Sequence, residues 1–101
     1  MLQWIGRMVE GNSVWAMITT NRVEVETDWR NELPKVRVRT LVAHGDADHT
    51  CNIDTTGRRV AQLIPGAVLK IYSGAAHGLF VTHAGAFNED LLAFVTTSGA
   101  T

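Results

Sequence analysis

Two short apolar runs, each followed by a polar exit rich in glycine and alanine, organise this chain. Thr40-Leu41-Val42-Ala43 leads into His44-Gly45-Asp46-Ala47-Asp48, and Val68-Leu69-Lys70-Ile71-Tyr72 leads through Ser73 into Gly74-Ala75-Ala76-His77-Gly78. The first run predicts a strand over roughly Arg39 to Ala43, and its lack of alternation suits a strand covered on both faces. The second predicts a strand from Val68 to Tyr72. Between them Asp54 to Leu63 reads as a helix opened by Asp54-Thr55-Thr56. Val60, Ala61, Leu63 and Ile64 form its apolar side, and Pro65-Gly66 stops it. Strand, helix, strand in this order predicts two parallel strands joined by a right-handed crossover. Both strand exits then open on one edge of the sheet, where α/β proteins place their chemistry. Asp48 and His77 can meet there despite their distance in sequence.

Outside this unit the pattern is helical. Trp4, Ile5 and Met8, then Val14, Trp15 and Ile18, recur near the helical period and are interrupted by Gly11-Asn12-Ser13. Two short helices are expected, the second capped by Asn12 or Ser13. The polar stretch from Thr27 to Lys35 reads as a short helix and loop, with Thr27 or Asp28 as its cap. A last helix opens at Thr82 or His83 and carries Phe87, Leu91, Leu92, Phe94 and Val95 as a buried stripe, before Ser98-Gly99-Ala100-Thr101 frays. Two strands are too little sheet for a doubly wound fold, so at least one strand edge is expected to lack a partner.

Composition narrows the function classes. The chain has 101 residues, one domain or part of one, and its 46% hydrophobic and 19% charged residues are those of an ordinary globular protein. Nine basic and ten acidic side chains are spread without a block of either sign, which argues against nucleic acid or an anionic membrane as partner. Cys51 is the only cysteine, so an internal disulfide or a CxxC site is excluded and a reducing compartment fits. With no signal-peptide pattern at Met1 to Met8 and no apolar stretch of membrane-spanning length, a cytoplasmic location is expected.

The candidate chemistry lies at the two exits. An imidazole can take a proton from a hydroxyl nucleophile during attack and return it to the leaving group, and a carboxylate behind the ring fixes its tautomer and stabilises the imidazolium. His77 suits the first task because an unperturbed histidine titrates near neutral pH. Asp48 suits the second, with Asp46 as the competing acid, although a turn-stabilising role is the default for that residue. Gly45 and Gly78 let the backbone turn beside them. His44, His49 and His83 read as structural or solvated. Cys51 follows the acid and no strand-to-helix elbow, which speaks against it as a surrogate nucleophile. Trp4, Trp15 and Trp29 read as core or cap packing before a substrate wall. A rival reading takes His44, Asp46, Asp48 and His49 as H-x-D-x-D-H, close to the H-x-H-x-D-H ligand run of metal-dependent hydrolases.

The runs T-L-V-A-H-G-D-A-D, G-R-R-V-A-Q-L-I-P-G-A, G-A-A-H-G-L-F-V-T-H and N-E-D-L-L-A-F-V together resemble the C-terminal part of α/β-hydrolases, and most closely the cofactor-free non-haem chloroperoxidase and arylesterase group. The likeness covers roughly residues 27–95. Two departures stand out: Arg39 where the family usually has proline before the Thr-Leu of the strand, and Cys51-Asn52 where a V-P usually follows the acid loop.

The resemblance implies an α/β fold that is an incomplete α/β-hydrolase: the last two parallel strands with their helices over residues 31–101 and a cap-helix remnant over residues 1–30. It implies Asp48 as triad acid and His77 as triad base, with no metal, haem or other cofactor. The implied reaction is hydrolysis of a small-molecule ester through an acyl-enzyme, with perhydrolysis when peroxide replaces water. In this fold the serine of a G-x-S-x-G elbow precedes the acid. Ser13, Ser73 and Ser98 are the only serines and none lies in that context. The chain alone is therefore expected to be inactive, and to self-associate or pair with an N-terminal half. The alternatives are a non-catalytic interaction module or truncated relic of the fold and, more remotely, a metal-dependent hydrolase.

Overall fold

The computed structural model describes residues 2–97. Its elements run in the order α1 (Leu2–Glu10), α2 (Val14–Glu26), a 3₁₀ turn (Leu33–Lys35), β1 (Leu41–Gly45), α3 (Gly57–Leu63), β2 (Val68–Tyr72), α4 (Leu79–Thr82) and α5 (Ala84–Thr96). The strands pair in parallel, from Leu41 opposite Val68 to Gly45 opposite Tyr72. Both therefore end at the same level, and the two polar exits leave side by side.

β2 matches its expected span, whereas β1 is displaced two residues toward the C-terminus. Thr40 supplies only a carbonyl, to Val68 N–H, while His44 and Gly45 continue the ladder. His44 is thus a strand residue. The crossover helix also starts late, at Gly57 and not at Asp54, because Asn52 organises a turn ahead of it. Its side-chain oxygen accepts from Asp54 N–H and its carbonyl from Thr55 and Thr56 N–H. Pro65-Gly66 ends the helix as expected, with Gly66 at φ +73°.

The core is small. Tyr72, Ala75 and Leu79 form its centre, with Ala43 and Phe87 packed against it. Tyr72 meets Phe87 edge to face at 6.3 Å and donates its hydroxyl proton to Asp90 Oδ2 at 2.7 Å, which ties α5 to β2. Burial, with the Asp90 carboxylate next, pushes the Tyr72 hydroxyl up to about 12. The structure adds α4 ahead of α5, so the last helix opens at Ala84. Its expected buried stripe holds only in part: Phe87 packs on the core, but Leu91, Leu92 and Val95 are exposed. Nor is β1 covered on both faces, since Leu41 to His44 are only half-buried and just Gly45 is fully so. Among the described residues no third strand lies beside β1.

α1 and α2 are helices, as their spacing predicts, and Ser13 is the cap, its Oγ accepting from Ala16 N–H at 3.0 Å. At 13 residues α2 is longer than expected. None of the more extensive contacts between elements among the described residues involves either helix. Trp4, Trp15 and Trp29 are all exposed, which corrects their assignment to packing. Between Thr27 and Lys35 there is no α-helix, only a loop and the 3₁₀ turn. Asp28 closes the start of that loop by accepting from Arg30 N–H. The expected fraying from Ser98 to Thr101 lies outside the described residues. No helix among the described residues is long and apolar enough to cross a membrane.

Candidate active site

The two strand exits are laced together by their backbones. Asp46 N–H donates to the Tyr72 carbonyl and Ala47 N–H to the Ala75 carbonyl. Gly45 lies so close to Ala75 that a Cβ there would collide with the Ala75 carbonyl; glycine is required for this approach. Gly74, at φ +70°, reverses the second exit, and its N–H donates to Asp46 Oδ1 at 2.7 Å. The Asp46 side chain is thus consumed in holding the two loops together. That leaves Asp48 as the carboxylate turned toward the second exit.

Asp48 is 8% exposed and fully engaged. Oδ1 accepts from Thr50 N–H and Cys51 N–H, both at 2.9 Å, and Oδ2 lies 2.8 Å from His77 Nδ1. The amide of Cys51, with further help from His77 and Thr50 and against the cost of burial, holds the Asp48 carboxyl down at about 2. A carboxylate only accepts, so His77 Nδ1 carries the proton of this bond. In the neutral ring Nε2 is then the lone-pair nitrogen, and the His77 side chain is 60% exposed. This is the tautomer that a general base requires: one nitrogen anchored on a buried carboxylate, the other open to a reacting hydroxyl.

A second imidazole approaches the same carboxylate. His44 projects from β1, its side chain only 11% exposed. His44 Nε2 lies 2.9 Å from the Cys51 carbonyl and 3.4 Å from Asp48 Oδ2. Its ring fills the space that a Cβ on Gly57 would need. By residue pattern His44 reads as structural or solvated, or as a ligand in the rival metal run, and nothing in that pattern places it beside the Asp48–His77 pair. The amides of Thr50 and Cys51 do carry a signal: aspartate two and three residues ahead of free N–H groups in a loop is a familiar turn former.

The remaining candidates stay apart. His49 is exposed, and His83 bonds the neighbouring Thr82 hydroxyl through Nδ1. Among the described residues no group of three histidine, cysteine or acidic side chains is arranged to hold a metal ion, so His44, Asp46, Asp48 and His49 do not converge as a ligand set. Ser13 is occupied as a helix cap, Ser73 sits exposed on the turn after β2, and Ser98 lies outside the described residues. Cys51 is half-buried and serves Asp48 and His44 through its backbone. The departure from V-P thus leaves an N–H at position 51, from which Asp48 Oδ1 accepts. At the other departure, the Arg39 guanidinium stacks on the Phe94 ring at 4.4 Å and donates to the Phe94 carbonyl, so that it pins α5 where the family usually has proline.

No family model matches the chain. Individual proteins do. It is 46% identical over 71 residues to a non-haem chloroperoxidase of Kitasatospora aureofaciens, a match covering 68% of this chain and 26% of that protein. It is 36% identical over 70 residues to a bifunctional esterase/perhydrolase of Acinetobacter calcoaceticus, covering 69% and 25%. Among solved structures, an esterase from Exiguobacterium antarcticum superposes on 92% of this chain and 34% of its own, with a TM-score of 0.85 and 28% identity. The chain spans about a quarter of the length of the curated relatives it matches. With two parallel strands, flanking helices and these relatives, the chain belongs to the α/β-hydrolases, with the non-haem chloroperoxidases among its relatives, and its elements are those of the C-terminal part of that fold.

Proposed function

We propose that this chain carries the acid and base of a serine-hydrolase triad, Asp48 and His77, for hydrolysis of small carboxylic esters, with perhydrolysis as a side reaction when peroxide replaces water. The observation that carries this is the 2.8 Å contact between the buried Asp48 carboxylate and Nδ1 of an imidazole whose side chain is otherwise 60% exposed. In this reading the acyl group is transferred to a hydroxyl that none of the chain's own serines supplies, and whose proton His77 Nε2 accepts and then delivers to the departing alcohol. Water deacylates the intermediate by the same route in reverse. Asp48 keeps its charge throughout and stabilises the imidazolium. Residues 1–30 act as the remnant of a cap over the site, and residues 31–101 as the C-terminal part of the hydrolase core.

The isolated chain is the test. It should neither hydrolyse activated esters nor react stoichiometrically with a fluorophosphonate, because none of Ser13, Ser73 and Ser98 lies in a G-x-S-x-G sequence. Labelling at any of the three would overturn the reading.

A second reading, a non-catalytic interaction module, draws support from the exposed apolar side chains of α1 and α2, among them Leu2, Val14, Trp15 and Val25. Its mark would be binding of another polypeptide that is unchanged by His77→Ala.

A further inference from the structure

We infer that His44 is a positioning residue for the acid and base pair: it holds the loop that orients the Asp48 carboxylate toward His77. The inference rests on the proposed role of that pair. The Cys51 carbonyl only accepts hydrogen bonds, so at 2.9 Å His44 Nε2 must carry the proton, and the ring is fixed in its Nε2–H form. That same N–H lies 3.4 Å from Asp48 Oδ2, the oxygen that receives His77 Nδ1.

The two imidazoles thus approach one carboxylate oxygen in different ways, His77 by a short hydrogen bond and His44 by a longer contact shared with Cys51. The connection closes a ring. β1 carries His44, His44 holds the Cys51 carbonyl, Cys51 N–H holds Asp48 Oδ1, and Asp48 returns to β1 through its own N–H on the Gly45 carbonyl. Rotation of the carboxylate away from His77 would also break the two bonds that Oδ1 accepts from Thr50 N–H and Cys51 N–H, amides that stay in place because His44 holds the Cys51 carbonyl. The ring is itself fixed from behind, because His44 packs on Gly57, at the start of α3, where any side chain would displace it. The groups facing Asp48 are Thr50 N–H, Cys51 N–H, His77 Nδ1 and His44 Nε2. Of these only His44 comes from a strand, the more rigid element.

Nitrogen-15 NMR of the full chain at neutral pH tests this, since the shifts of the two ring nitrogens report which one is protonated. In the unaltered chain His77 should be in the Nδ1–H form and His44 in the Nε2–H form. His44→Leu keeps the bulk but has no donor, and His77 should lose its Nδ1–H preference and become a mixture of tautomers. His44→Gln, whose amide nitrogen reaches as far as Nε2, should restore the preference, whereas His44→Asn, too short to reach Cys51, should not. If His44→Leu loses its dispersed amide spectrum, the comparison of Gln with Asn decides alone.

An Nδ1–H form of His77 that persists in both the Leu and Asn variants would overturn the role of His44 and leave the pair intact. Absence of that form in the unaltered chain would overturn the pair itself.

Discussion

Among single residues, two aspartates compete for the proposed role of acid, and their surroundings separate them. Asp46 is spent on Gly74 N–H, whereas Asp48 accepts two amides and faces His77. The sequence offered both, and no pattern of residue types could separate them, because the distinction is one of direction after the strand ends. It was legible that an acid and a base stand at neighbouring exits. That His44 continues the strand and comes to rest beside Asp48 was not, because a histidine after an apolar run looks like the start of a loop. Since the Asp48 carboxyl is held at about 2, below its value in an unfolded chain, its interactions stabilise the fold above about pH 4 and are lost as pH falls toward 2. Thermal unfolding measured from pH 5 down to pH 2 should therefore fall more steeply for the unaltered chain than for Asp48→Asn; parallel curves would mean that the carboxylate is not held in this way. Gly45→Ala places a methyl against the Ala75 carbonyl and should cost about 1–3 kcal/mol in denaturant unfolding.

The elements follow or depart from their sequence pattern for physical reasons that differ from one to the next. β2 is bounded by Pro65-Gly66 and by Gly74, and its five residues were legible as they stand. α3 began three residues later than expected because Asn52 captures the preceding amides in a turn, a competition between side chain and helix that apolar periodicity does not register. The stripe on α5 is real as a pattern, yet only its first member reaches the core. What holds α5 in place is polar: the Tyr72 hydroxyl on Asp90, and Arg39 on Phe94. Tyr72→Phe should cost about 1 kcal/mol, and Arg39→Ala about 0.5–1 kcal/mol. Hydrogen exchange should register both first in α5 and leave β2 protected. Loss spread evenly over the chain would deny this local role.

For the whole molecule the outstanding property is how little is buried. Among the described residues five apolar ones form the buried set, and large apolar side chains along α1 and α2 stand in solvent. β1 is paired on one edge among the described residues, and the donors and acceptors beside Leu41 and Val42 on the other are a template for a further strand. The chain should accordingly be of low stability and associate through this edge, so that sedimentation shows mass rising with concentration and the thermal midpoint rises with it. A monodisperse monomer with a concentration-independent transition would require that edge to be protected.

On the proposed function Asp48 and His77 act as acid and base once a nucleophile and the oxyanion-stabilising amides are supplied. This is tested most directly by a chimera in which residues 27–95 replace the corresponding segment of the Exiguobacterium antarcticum esterase, on which this chain superposes at a TM-score of 0.85, assayed on an activated ester. The chimera should hydrolyse the ester. His77→Ala should abolish the reaction, Asp48→Asn should slow it by about 10⁴-fold through a wrongly held imidazole, and Asp46→Asn should leave the chemistry in place. A chimera that hydrolyses the ester equally well with His77→Ala would contradict the account.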